Sequence, residues 1–222
     1  MPSKLAFTQT DLNEYIDSLA DGYMDYRATT AHRFGDGTNQ LLIANDGCMT
    51  FEGDARFWQG VFVDVSRFKE PIANTATLVN RGIGTAYSFT KNQDDEHLHI
   101  QVNMPGFWDT TEDLEVILHW DSPAISGDCY WEVRYQLIAE DEVMDATTFD
   151  GTEGSVFTSS STSKGLVHST ITIPTADFDA GDKKLRFALY RMGDNAGDTI
   201  EDFIYLHGIR VRGVRYKTGG AL

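Results

Sequence analysis

The sequence predicts an all-β fold, an antiparallel two-sheet sandwich preceded by an N-terminal arm with one short α-helix. Three observations lead there. From residue 40 onward the apolar residues recur with a period of two, in short runs. Turn residues punctuate the runs, and no helical stripes alternate with them, which removes parallel βαβ architectures. The 222 residues are 41% hydrophobic, enough for one large domain with an appendage and too apolar for a disordered chain.

The arm comes first. Leu12, Tyr15, Ile16, Leu19 and Tyr23 recur at spacings of three and four, which predicts a helix over residues 10–25. Thr10 is a suitable N-cap, and Asp11 and Glu14 put negative charge where the helix dipole favours it. A helix this short is marginal alone, so its stripe is expected to dock on the domain behind it or on a neighbouring subunit. The division is placed after residue 48, with 1–48 as a docking or oligomerisation arm and 49–222 as the sandwich.

Strands are expected at residues 41–44, 49–51, 61–65, 76–79, 87–89, 98–102, 114–120, 129–138, 165–174, 184–192 and 203–216. Trp131, Val133, Tyr135 and Leu137 should face inward while Glu132, Arg134 and Gln136 face out; Leu185, Phe187 and Leu189 repeat the pattern. In the last strand the apolar parity shifts at Gly208 and again at Gly213, as a β-bulge would shift it. The serine-rich run at 159–163 reads as an exposed loop.

The chain carries 34 acidic against 18 basic side chains, a formal charge of −16. Such a surface repels phosphate backbones, so neither nucleic acid nor an anionic membrane is an expected partner. No stretch reaches the roughly 18–20 apolar residues of a membrane span, and no apolar segment follows Met1-Pro2-Ser3-Lys4. A soluble product made in a cytoplasm, without a signal peptide, is therefore expected. Cys48 and Cys129 have no metal-binding spacing, and two separately buried thiols is a simpler reading than one disulfide.

Little in the sequence points to catalysis. Arg81-Gly82-Ile83-Gly84-Thr85 lacks the lysine and following helix of a phosphate loop and reads as a turn. His97 and His99 share one face of a strand, and a zinc face would need His119 from a neighbouring strand. Leu98, Ile100 and Val102 claim the core side, which leaves the two histidines on solvent. Acidic clusters at 94–96, 109–113, 140–145 and 194–202 lie in turns, where carboxylates gather by default; neither a glycosidase pair nor any other enzyme is expected. No cofactor is expected either, calcium in the 194–198 loop being the alternative.

Trp58, Trp108, Trp120, Trp131 and the nine tyrosines could form a stacking platform for sugars, as jelly-roll lectins use, but most aromatics on period-two strands are expected in the core. Phe107 and Trp108, after Pro105-Gly106, stand as a surface contact for a sugar or a subunit. Arg210, Arg212, Arg215 and Lys217 form a basic row in an acidic chain; Arg210 and Arg212 are taken as oligomer or docking contacts beside the arm residues.

The segment 86–138 resembles a family of tailed-bacteriophage virion proteins. It shares Tyr87-Ser88-Phe89, Met104-Pro105-Gly106-Phe107-Trp108, Leu118-His119-Trp120 and Trp131-Glu132-Val133-Arg134-Tyr135 with that family. Leu189-Tyr190-Arg191, the turn reaching Asp198-Thr199 and the closing Val214-Arg215-Tyr216 extend the likeness over roughly residues 50–217. The family often reads P-H-x-W at the proline turn; Gly106-Phe107 stand here, so any role of that histidine is absent. The resemblance implies a jelly-roll-like sandwich on a virion exterior, as a capsid decoration, head fibre or tail component. It implies assembly in symmetric copies, most simply a homotrimer, on capsid or tail subunits, with no catalytic residues. The alternative is a carbohydrate-binding module or receptor-binding tip.

Overall fold

In the computed structural model the described residues are 5–6, 15–17, 25–27, 31–35, 38–44, 48–91, 96–103, 109, 111–139, 148–178, 182–215 and 217–218. The strands in chain order are β1 (Leu5–Ala6), β2 (Tyr15–Asp17), β3 (Asp25–Arg27), β4 (Ala31–Gly35), β5 (Gln40–Ala44), β6 (Met49–Glu52), β7 (Phe57–Asp64), β8 (Thr77–Arg81) and β9 (Gly84–Phe89). They continue as β10 (His97–Asn103), β11 (Leu114–Asp121), β12 (Asp128–Ala139), β13 (Gly151–Thr158), β14 (Val167–Ile173), β15 (Asp182–Arg191), β16 (Ile204–Arg215) and β17 (Lys217–Thr218).

The chain divides into two compact units, Met1–Phe57 with Arg215–Leu222, and Trp58–Val214. The division expected after residue 48 falls earlier and does not anticipate the assignment of residues 215–222 to the first unit. Within the first unit β17, β6, β5 and β4 form one sheet and β1, β2 and β3 another. The helix expected over residues 10–25 is corrected here. Tyr15 pairs with Ala6 and Arg27, and Ile16 with Leu5 and Tyr26, all antiparallel. Tyrosine and isoleucine suit strands, and a helix this short has little stability of its own to set against strand pairing. Leu12, Leu19 and Tyr23 lie outside the described residues.

The second unit is an antiparallel β-sandwich of jelly-roll type. One sheet runs β10-β15-β12-β13, and the other runs β14-β11-β16-β9-β8 with β7 also on β16. Period-two alternation sends Leu98, Ile100 and Val102, Trp131, Val133 and Tyr135, and Leu185 and Leu189 inward from the first sheet. From the second come Leu114, Val116, Leu118 and Trp120, with Ile204, Leu206, Ile209 and Val211. The two inner faces meet through aromatic rings: Trp131 packs edge-on against Phe89 at 5.1 Å and against Trp120 at 6.3 Å. Cys48 and Cys129 are separate buried thiols. The bulge expected at Gly208 is present: the β11–β16 register slips between His119 and Trp120, opposite Gly208. At Gly213 the burial pattern also shifts, so that Val211 and Val214 are both buried.

One buried ion pair closes the end of the sandwich. Arg191, at the end of β15, donates from Nε and Nη2 to Asp198 at 2.9 Å each, and both side chains are fully buried. Its remaining donors reach the carbonyls of Asp202, at 2.9 Å, Ile200 and Phe89. Asp198 also accepts from the Tyr130 amide at 3.2 Å. A buried charge without its partner is strongly destabilising, so Arg191→Met should cost about 3–5 kcal/mol, read as a lowered denaturation midpoint. The double variant Arg191→Met/Asp198→Leu should regain part of that loss. In the same turn a Cβ on Gly193 would sit 2.6 Å from the Lys91 carbonyl carbon and 2.8 Å from its Cα. Backbone cannot rotate away as a side chain can, so Gly193→Ala should destabilise by about 1–3 kcal/mol in chemical denaturation.

Candidate functional site: the outer faces of the sandwich

Alternation that fills the core places polar side chains on the outside. On the four-stranded sheet, register sets them in rows across β10, β15 and β12. The first row is His97, Tyr190 and Glu132; the second is His99, Ala188 and Arg134; the third is Gln101, Arg186 and Gln136. The first row is locked. The Tyr190 ring lies between His97, stacked at 4.7 Å, and the Arg134 guanidinium, 4.2 Å from its centroid, while Arg134 Nε donates to Glu132 at 2.6 Å.

The lower rows open into a cleft of about 500 Å³. Ala188 supplies its floor, because a methyl group there leaves a depression between the longer side chains of both neighbouring strands. Lys69 forms one wall, tied to the edge strand β10 by two backbone hydrogen bonds with His99, of 2.8 and 2.9 Å. Thr148 and the 44%-exposed Phe149 contribute the other wall. Burial, then the charges of His97 and Arg186, hold His99 below the usual histidine range. The lining offers a guanidinium, an ammonium, two primary amides, an imidazole and one exposed ring. Those groups suit a polyhydroxylated or anionic ligand.

The outer face of the six-stranded sheet carries a different set. His119 of β11 stands directly opposite His168 of β14, with ring centroids 4.4 Å apart, and the Phe62 ring meets His119 edge-on at 5.4 Å. His119 Nε2 is buried without a hydrogen-bond partner. Beside them Asp121 binds His207 Nε2 at 2.6 Å and the Arg81 guanidinium, which lies 4.0 Å over the Tyr205 ring. Burial raises the Asp121 carboxyl, but hydrogen bonds from His207 and Arg81 outweigh it and hold the group below its ordinary value. His119 is pushed down, by burial first and then by His168, Arg210 and His207.

The zinc face considered from sequence does not assemble, because His97 and His99 lie on the four-stranded sheet and His119 on the six-stranded one. Among the described residues no group of three or more His, Cys, Asp or Glu is placed to hold a metal. In the 194–198 loop, considered for calcium, Asp198 is the buried partner of Arg191. Phe107 and Trp108 lie outside the described residues, as do the side chains of Tyr15 and Ile16. Trp120 and Trp131, on period-two strands, are core as expected; Trp58 is 46% exposed beneath Arg212, whose guanidinium is 4.8 Å from its ring. Arg212 also binds Glu115, and Arg210 is exposed on β16. Lys69, Gln101, Gln136, Phe149 and Arg186 were not legible as a site. The parity of Gln101, Gln136 and Arg186 marks them as outward-facing, but nothing local says that their strands are neighbours.

No family model matches the sequence, and no curated protein matches it significantly. Among solved structures the chain is similar to the xylan-binding module CBM15, with 14% identity and a TM-score of 0.42, over 70% of this chain and 96% of that one. It is similar to the infectious bursal disease virus Gt strain structure at 12% identity and TM-score 0.37, covering 94% and 45% of the two chains. The enzymatically active domain of bacteriophage CBA120 tailspike protein 4 gives 7% identity and TM-score 0.34, covering 71% and 19%. The sandwich assignment itself rests on the strand pairing described above.

The histidine cluster has a consequence for acid stability. A group held below its ordinary pKa, near 6.5 for His119, binds its proton more weakly folded than unfolded. Stability is therefore highest when the ring is neutral in both states, and falls as pH drops below that value. Thermal melts between pH 7.5 and 5 should show this decline, and His119→Gln should flatten it in part, with His99 retaining the remainder.

Proposed function

We propose that the chain is a non-enzymatic structural subunit of a bacteriophage virion, with the sandwich Trp58–Val214 as its exposed head. The observation that carries this reading is the division of the chain. The head has a complete core of its own, running from Val63 to Val211, while the first unit pairs β6, before the head in the chain, with β17, after it. A self-sufficient sandwich attached to a separate unit suits a subunit that docks by one part and presents the other. The sequence motifs shared with virion proteins lie at structural positions of the head. Tyr87 and Phe89 lie on β9, Leu118 and Trp120 on β11, and Trp131, Val133 and Tyr135 on β12, all buried.

In this reading the partners are further copies of the chain, as a homotrimer, and capsid or tail subunits. The protein is made in the host cytoplasm and ends in the particle as a capsid decoration, head fibre or tail component. Purified full-length chain should then run as a trimer in light scattering. Particles grown without it should lose a discrete surface feature in electron-microscopic difference maps. A monomer, with particles unchanged by its loss, would refute the assignment.

A second reading, a saccharide-binding module or receptor-binding tip, is favoured by one specific feature, the polar cleft over the four-stranded sheet. The two readings are compatible when the head of a virion subunit carries the binding site.

A further inference from the structure

We propose that His119 and His168 form a two-imidazole site for a divalent transition-metal ion, zinc, copper(II) or nickel(II), that clips β14 to β11. The site is independent of the virion and saccharide readings. Placement comes first. β14 ends the six-stranded sheet and pairs with β11, and the antiparallel register sets His168 directly opposite His119. Residues so opposed bring their Cβ atoms to about 4.5–5.5 Å, and here the ring centroids lie 4.4 Å apart. That separation is within reach of one ion held at about 2.0–2.1 Å by a nitrogen of each ring. His168 is the second residue of β14. An ion on both rings therefore adds a cross-link close to a strand end, where pairing frays most easily.

The second observation is an orphaned nitrogen. His119 Nε2 is buried and has no hydrogen-bond partner in the protein, although buried polar atoms are normally paired. With the proton on Nδ1, Nε2 presents the lone pair that a metal ion takes. His168 is exposed, and its side chain makes no hydrogen bond or ion pair with the described residues, so its ring is free to turn onto the ion. The other groups facing His119 come from β16 and β7. They are Arg210, which is exposed, His207, whose Nε2 is held by Asp121, and the Phe62 ring. Among the described residues no third His, Cys, Asp or Glu is placed to join the pair. Two protein nitrogens thus hold the ion, and water fills its remaining positions. Imidazole selects zinc, copper and nickel, whereas magnesium and calcium take oxygen ligands. The rival pair is His97 and His99, with centroids 4.9 Å apart. His97 is stacked on Tyr190 at 4.7 Å, neither ring carries a buried unpartnered nitrogen, and both sit on one strand.

The test is calorimetric titration of the untagged full chain, freed of metal by chelation, with zinc, copper(II), nickel(II) and magnesium chlorides at neutral pH. The expected result is one zinc ion per chain, tighter copper(II), and no response to magnesium. His119→Gln and His168→Gln should each weaken zinc by more than about tenfold, since even outer-shell partners of a metal ligand are worth that much. The double variant His97→Gln/His99→Gln should bind zinc as the parent does. Saturating zinc should also raise the parent's melting temperature and slow amide exchange in β14. Both effects should vanish in His168→Gln, a change at an exposed position that leaves the core untouched. Zinc binding that survives both single variants, or that is lost only with His97 and His99, would overturn the proposal. An equal response to magnesium, or no zinc binding at all, would reduce the pair to a packing contact and overturn it too.

Discussion

A single buried guanidinium organises the sandwich. Removing Arg191 and Asp198 from water is costly, and the pair is tolerable only because every donor of the guanidinium finds an acceptor. Those acceptors come from β9 of one sheet and from the turn that leads into β16, while Arg191 itself ends β15 of the other sheet. The contact therefore ties both sheets to the longest irregular connection at that end. Its reach extends to Cys129, whose thiol is pushed well above its ordinary range by burial and then by the Asp198 charge. That thiol is inert packing.

With the end of the sandwich held in this way, the aromatic centre can be dry. Trp120 and Trp131 are fully buried, and the Trp120 indole nitrogen finds a hydroxyl partner in Ser169 at 2.8 Å. The inner faces thus hold the core, and function is left to the outer faces. These diverge. One presents a cleft with cationic and amide lining, the other a cluster of histidines around an aspartate bridged by Arg81 and His207. The same alternation that built the core produced both, since every inward residue leaves an outward neighbour.

The fold was legible where a strand has one buried face. β10, β11 and β12 alternate cleanly over most of their length, and the expected parity shift at Gly208 is a real bulge. β13 was missed for a physical reason. It lies at the edge of its sheet with most residues on solvent, so its glycines and threonines carry no apolar alternation and resemble a loop. The helix over residues 10–25 was misread because its short stripe had no partner encoded within the segment, and Tyr15 and Ile16 pair instead as strand residues with β1 and β3.

By itself the sequence determined which side chains face inward, because strand parity is a local property with a period of two. It determined the sandwich class, the acidic exterior and the glycine at the bulge for the same reason. Only the tertiary structure decided which outward residues become neighbours. His119 sits apart from His97 and His99 because their strands enter different sheets, whereas Gln101, Arg186 and Gln136 form one row because β15 lies between β10 and β12. Strand order is set by packing between distant segments, and no periodicity within a segment encodes it.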